Sequence, residues 1–294
     1  MKVSINVTNY SWPGGPSEIR TRLRELVGAA DAGGIDTVWV SDHLLQADPT
    51  AGPGERDMLE ACTTLGFMAA ATERVRLGTM VAAVSFRAPA LLVKAVTTLD
   101  VLSGGRAWLG IGAGYHGAEA EAMGLPLPPT AERFEQLEET LQIASRMWAG
   151  DDSAFEGRRY RLANPVGAPV PLQRPGPRIL IGGAGEKKTL RLVAQYGDAC
   201  NLFDVPDGGR TVRQKLAVLE QHCESIGRPY AEIEKTLSTR LGPDETAHEV
   251  IERFRRAAGL GIGHLVVIRS GPWTPEALEP LVGAIPELSG VAAS

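Results

Sequence analysis

Eight alternations of a short β-branched apolar run with a longer segment of helical spacing, carried on 294 residues with one Pro-rich interruption, predict an α/β fold, the (β/α)8 TIM barrel. Strands separated by helices pair in parallel, because a crossover of helix length returns the chain to the same sheet edge. A doubly wound parallel sheet is the alternative, since alternation alone does not show closure. The interruption is too short and too rich in proline for a second core, so a single domain is expected over 1–294.

The first strand is the alternating run 3–7. Ile19, Leu23, Leu26, Val27 and Ala30 then mark one face of a helix that stops at Gly33-Gly34. A second strand over 37–40 leads to a helix over 59–72, and a third over 75–81 leads to the stripe Leu91, Leu92, Ala95, Leu99 and Leu102. The fourth strand, 107–111, precedes a long helix striped by Phe134, Leu137, Leu141, Ala144 and Trp148. Residues 151–177 interrupt the rhythm with a small hairpin near 155–160 and a loop holding Pro165, Pro169, Pro171, Pro175 and Pro177. Strands at 178–181, 199–203, 237–240 and 264–268 complete the set. Their helices are expected over 186–196, 212–225, 249–258 and 275–284.

Composition narrows the function. Hydrophobic residues make up 44% and charged residues 22%, an ordinary globular balance. Thirty Lys and Arg against 35 Asp and Glu leave a net charge of −5, without the basic field that nucleic acid requires. No apolar stretch reaches the 18 or so residues of a membrane helix, and the N-terminal run lacks the apolar core of a signal peptide. A cytoplasmic location is expected. Cys62, Cys200 and Cys223 lie far apart and fit reduced, buried thiols better than a disulfide frame or zinc site. Five scattered histidines have no metal-ligand spacing, so no metal is expected. The G-x-S-x-G elbow of a barrel hydrolase is missing as well.

In a barrel of this kind, chemistry sits on the loops after strand C-termini. Asp42 and His43 stand together after the second strand, where alternation sends their side chains apart. A histidine there can exchange a proton near neutral pH; the other reading is a pair that ties two loops together. Gly112, Gly114 and Gly117 meet the G-x-G-x-x-G spacing, but no acid follows at the end of a next strand, so they read as room for a flat ring. After the fifth strand, Gly182, Gly183, Ala184 and Gly185 open into a helix, either as an anion cradle or as a tight turn needing positive φ. Trp12 and Tyr115 are candidate substrate walls or ordinary loop packing. His116 is a second mouth histidine, while His264 belongs at the opposite end.

Several runs carry a resemblance: Val40-Ser41-Asp42-His43-Leu44, Val75-Arg76-Leu77-Gly78-Thr79-Met80-Val81, Arg87-Ala88-Pro89-Ala90, Ser103-Gly104-Gly105-Arg106, Leu109-Gly110-Ile111-Gly112-Ala113-Gly114 and Ile181-Gly182-Gly183-Ala184-Gly185. Over roughly residues 1–205 the chain resembles the bacterial luciferase-like superfamily, and within it the branch that uses the deazaflavin coenzyme F420. The resemblance implies a barrel holding the ring over its strand tips, flanked by Asp42 and by His43 as proton donor or acceptor. It implies a non-prolyl cis peptide at Met80–Val81 behind the ring and Ala113 and Gly114 at its edge. The loop Gly182, Gly183, Ala184 and Gly185 would hold the phosphate. Where the sugar-phosphate dehydrogenases of this branch carry an acid, this chain has Tyr115. The implied activity is hydride transfer between F420 and a small organic substrate. An FMN-dependent monooxygenase and a non-catalytic cofactor-binding barrel are the alternatives. Relatives are often dimers and no coiled-coil seam is visible, so a homodimer stays open.

Overall fold

Parallel strands covered by helices are buried on both faces, which is why the eight runs are apolar almost throughout. The computed structural model, which describes residues 1–291, forms β1 (Lys2–Val7), β2 (Thr37–Val40), β3 (Arg76–Thr79), β4 (Ala82–Ala83), β5 (Ala107–Gly112), β6 (Phe155–Glu156), β7 (Arg161–Leu162), β8 (Arg178–Gly182), β9 (Ala199–Phe203), β10 (Glu234–Arg240) and β11 (His264–Ile268). The parallel circuit runs β3-β2-β1-β11-β10-β9-β8-β5 and closes through the pairing of β3 with β5. Closure decides for the TIM barrel over the open sheet.

The helical layer comprises α1 (Pro16–Ala32), α2 (Ala61–Ala70), α3 (Pro89–Leu102), α4 (Gly117–Met123), α5 (Thr130–Ala149), α6 (Thr189–Tyr196), α7 (Arg210–Ile226), α8 (Ala247–Ala258) and α9 (Pro275–Leu288). The stripe foreseen on α1 packs inward through Leu23, Leu26, Val27 and Ala30. Two departures matter. Helix α4 was not foreseen, and α6 starts at Thr189, after a turn over 186–188, rather than at Glu186. The interruption folds as the short antiparallel pair β6–β7 and a loop tied down by buried Asp100, which accepts from the Leu172 and Gln173 amides at 2.7 and 3.1 Å. Of the three thiols, Cys200 and Cys223 are buried and Cys62 is half-buried. No helix among the described residues is long and apolar enough to cross a membrane.

Expected as one strand, residues 75–81 are split. The ladder stops at Thr79, the Met80–Val81 peptide is cis, and Ala82–Ala83 resumes pairing against Ile111 and Gly112. The local close approach explains a glycine: a Cβ at Gly110 would run into the Thr79 carbonyl oxygen, while the Thr79 hydroxyl donates to the Gly110 carbonyl at 2.6 Å. Below the break, Trp39 and Trp108 fill the waist of the barrel with ring centroids 5.5 Å apart. A Cβ at Gly78 would lie 2.7 Å from one indole and 2.8 Å from the other tryptophan's side chain, so only glycine fits between them.

The N-terminal end of the barrel is closed by charge. Glu234 accepts from Lys2 Nζ at 2.9 Å, Arg178 Nη1 at 2.7 Å and His264 Nδ1 at 2.7 Å, and the far nitrogen of His264 meets the Ser4 hydroxyl. Burial pushes the Glu234 carboxyl up, but His264 and Lys2 outweigh it and hold it far below the usual carboxylate range. A carboxyl depressed on folding contributes stability above its unfolded pKa and loses it as pH falls through the folded one. Glu234→Gln should therefore lose on the order of 3 kcal/mol at neutral pH. Thermal melts across acid pH should show a smaller pH-dependent loss in the variant than in the wild type.

Candidate active site at the barrel mouth

Asp42 and His43 do separate, as strand alternation requires. Asp42 forms a bidentate pair with Arg87, Nη1 to Oδ2 at 2.7 Å and Nη2 to Oδ1 at 2.8 Å, and also accepts the Ala83 amide at 3.2 Å. Arg87 continues to Glu60 at 2.6 Å, and Glu60 caps α2 by accepting the Cys62 and Thr63 amides. Burial raises the Glu60 carboxyl, but the Thr63 and Arg87 hydrogen bonds bring it to about 2. With its side chain 1% exposed, Asp42 is a positioning residue. Its oxygens are turned to the ends of α2 and α3, where they fix β4 against the tip of β2.

His43 goes the other way. Its Nδ1 meets Glu119 Oε2 at 2.8 Å, and Glu119 also accepts the Leu44 and Leu45 amides at 2.6 and 3.0 Å. The Glu119 side chain is fully buried. Burial pushes its carboxyl up, yet the Leu45 amide, His43 and the Leu44 amide together hold it below the usual range. An ionised carboxylate only accepts, so Nδ1 of His43 carries the proton and Nε2 is left for the mouth. The Tyr115 hydroxyl lies 3.5 Å from that Nε2, and the rings of His43, Tyr115 and His116 pack edge to face at 5.7–5.9 Å.

Glu119 was missing from the sequence reading because it rides on α4, seven residues long and without an apolar period. Its cap is also atypical, a histidine where a helix start is usually marked by serine, threonine, aspartate or asparagine. His116 is that residue, its Nδ1 accepting the Glu119 amide at 3.0 Å, so it stands behind the pair rather than alone in the mouth. Trp12 is not a mouth wall. It is 4% exposed, packs against Tyr10 with centroids 6.1 Å apart, and donates Nε1 to the Trp273 carbonyl at 3.0 Å. Tyr115, 72% exposed, does present its ring.

The glycine positions converge on the strand-3 break. Cβ atoms at Gly112 and Gly182 would lie 2.9 and 2.8 Å from the Val81 side chain, which is seated between them, and Gly114 (φ +73°) crosses above Ala83. Gly183 has φ +110°, which L side chains rarely adopt. Among the described residues, the amides of Gly183, Ala184 and Gly185 make no hydrogen bond to the protein, and they precede the N-terminus of α6. Consecutive free backbone amides around a positive-φ glycine favour an anion.

The family model for luciferase-like monooxygenases matches residues 1–284. The chain belongs to that family. Among curated luciferase-like relatives, an F420-dependent glucose-6-phosphate dehydrogenase of Kineococcus radiotolerans is 30% identical over 242 residues, covering 82% of this chain and 69% of that protein. The enzyme of the same name from Amycolatopsis mediterranei is 27% identical, covering 82% and 70%. An F420-dependent secondary alcohol dehydrogenase superposes with a TM-score of 0.82 at 18% identity over 98% of both chains. A monooxygenase of Streptomyces bottropensis gives 0.81 at 22% identity over 98% of this chain and 99% of its own. At these identities the structures bear out the luciferase-like barrel and no more.

The positioning role of Asp42 can be measured. Asp42→Asn leaves the buried Arg87 guanidinium short of a charge, and the luciferase-like barrel should lose on the order of 3 kcal/mol in chemical denaturation. Unchanged stability would leave Asp42 available for another role.

Proposed function

We propose that this protein moves a hydride between coenzyme F420 and an uncharged carbonyl or alcohol substrate. The reading is carried by the His43–Glu119 pair: an imidazole held by a buried carboxylate, with its second nitrogen facing the mouth beside the strand break. The names of the curated relatives supply the cofactor class.

The residues fit such a group. The buried Asn6 Oδ1 and Ser85 Oγ have no partner in the protein, so a ring with hydrogen-bonding edges finds unsatisfied atoms there. Met80 and Val81 would back the ring, Ala113 and Gly114 would border it, and Gly182, Gly183, Ala184 and Gly185 would hold the phosphate. Bound F420 supplies a carbon that gives or accepts a hydride and reacts poorly with oxygen, which favours reductase or dehydrogenase chemistry over oxygenation.

This chain does the rest. His43 Nε2 delivers or removes the substrate proton, and the anionic Glu119 stabilises the imidazolium that results. Tyr115 and Phe203, 72% and 58% exposed, offer apolar surface that keeps water from the reacting groups. Three arginines near the mouth are engaged, while Arg56 on the β2–α2 loop is exposed. Arg87 is held by Asp42 and Glu60, Arg240 pairs with Asp48 at 3.2 Å, and Arg269 donates to the Pro272 carbonyl at 2.6 Å beside the Trp273 ring. Those three guanidinium groups are spent on the protein, and the exposed surface around His43 is the apolar rings of Tyr115 and Phe203, which is why an uncharged substrate is proposed despite the relatives' names.

Fluorescence titration of the protein with F420 and, separately, with FMN tests the cofactor. Quenching by F420 is expected; tight FMN binding without F420 binding would replace this reading with the monooxygenase. Binding of F420 with no turnover across ketones, alcohols and sugar phosphates would leave a cofactor-binding barrel. His43→Ala should cut turnover by about 10²–10⁴-fold while F420 affinity stays within about two-fold. Gly183→Ala, strained at its positive φ by about 1–3 kcal/mol, should weaken F420 binding by about ten-fold with turnover at saturation retained.

A further inference from the structure

We infer that His116 is a positioning residue whose neutral imidazole sets the proton on His43: it caps the short helix that carries Glu119, and its protonation releases that carboxylate from its partner. A seven-residue helix is not stable alone and depends on its ends. The C-terminal end of α4 is closed by Gly124 at φ +65°, where the Gly124 and Leu125 amides reach back to the Glu121 and Ala120 carbonyls at 3.3 and 2.8 Å. The N-terminal end rests on one residue. His116 takes the Glu119 amide on Nδ1 at 3.0 Å and the Ala120 amide on its carbonyl at 3.1 Å.

Serine, threonine, aspartate and asparagine usually hold this position because their oxygens accept a hydrogen bond at any ordinary pH. Histidine accepts there only while Nδ1 is bare. The same residue stands at both ends of the linkage: Glu119 gives its amide to His116 and its carboxylate to His43, Leu44 and Leu45. When Nδ1 gains a proton, a donor faces a donor, and a positive charge sits at the positive end of the helix dipole. The first turn then opens, and the carboxylate moves with it.

The titratable groups facing the His116 ring are His43 at 5.7 Å, Tyr115 at 5.8 Å and Glu119. The consequence for catalysis rests on the hydride-transfer reading, in which His43 needs Glu119; the linkage itself does not.

Long-range ¹H–¹⁵N imidazole spectra of the protein without added cofactor test it, since the chain has five histidines to assign. At neutral pH, His116 is expected as the Nε2–H tautomer and His43 as the Nδ1–H tautomer. His116→Ala should lower the Nδ1–H to Nε2–H ratio at His43 by about five-fold, the equivalent of ~1 kcal/mol for a lost cap. His116→Asn, which caps without titrating, should restore that ratio and hold it to lower pH than the wild type. An Nδ1–H tautomer at His116 would overturn the inference. So would an unchanged His43 ratio in His116→Ala, or identical pH courses in the wild type and His116→Asn. Because no cofactor is present, these outcomes are independent of whether F420 binds.

Discussion

The mouth of this barrel depends on the buried pairing of Asp42 with Arg87. A carboxylate taken out of water is tolerated only when its oxygens are satisfied, and here the donors, Arg87 and the Ala83 amide, come from the next βα unit. Arg87 precedes α3, the Ala83 amide belongs to β4, and Glu60, the third member, caps α2. One ionic cluster therefore sets the height of β4 against β2 and the starting point of two helices. The platform made by Met80 and Val81 lies between those fixed points, and the direction of His43 follows from the turn that begins at Asp42.

Each end of the barrel holds a histidine whose Nδ1 meets a carboxylate, and the contrast between them separates structure from chemistry. At the closed end, Glu234 is saturated by Lys2, Arg178 and His264, and the far nitrogen of His264 is spent on Ser4. Nothing there is free to react. At the open end the carboxylate is equally well satisfied, by His43 and two amides, but the far nitrogen of the imidazole has only the Tyr115 hydroxyl at 3.5 Å. The same pair of residue types is thus a rivet in one place and, in the proposed function, a poised base in the other, and the difference lies in what surrounds the second nitrogen.

Most of the architecture was legible because its signals are local. Helix faces such as Leu23, Leu26, Val27 and Ala30 repeat at the helical period, and the parallel strands are apolar on both faces. The glycine turn after β8 and the strand carrying Met80 and Val81 were legible through family likeness and turn chemistry. Three features were not. Helix α4 is shorter than two full periods, so Glu119 had no element to stand on. The partner of Asp42 is 45 positions away, a distance no local pattern reaches. Trp12 sits in a mouth loop by sequence, but its indole is drawn inward against Tyr10 by apolar burial and by the Trp273 carbonyl. In each case the deciding force was tertiary, acting between segments far apart in the chain.

The two tryptophans at the waist have a consequence for access. With Trp39 and Trp108 wedged together and Gly78 leaving no slack between them, the interior of the barrel is filled at that level. A molecule meeting the mouth therefore has no way through to the Glu234 end.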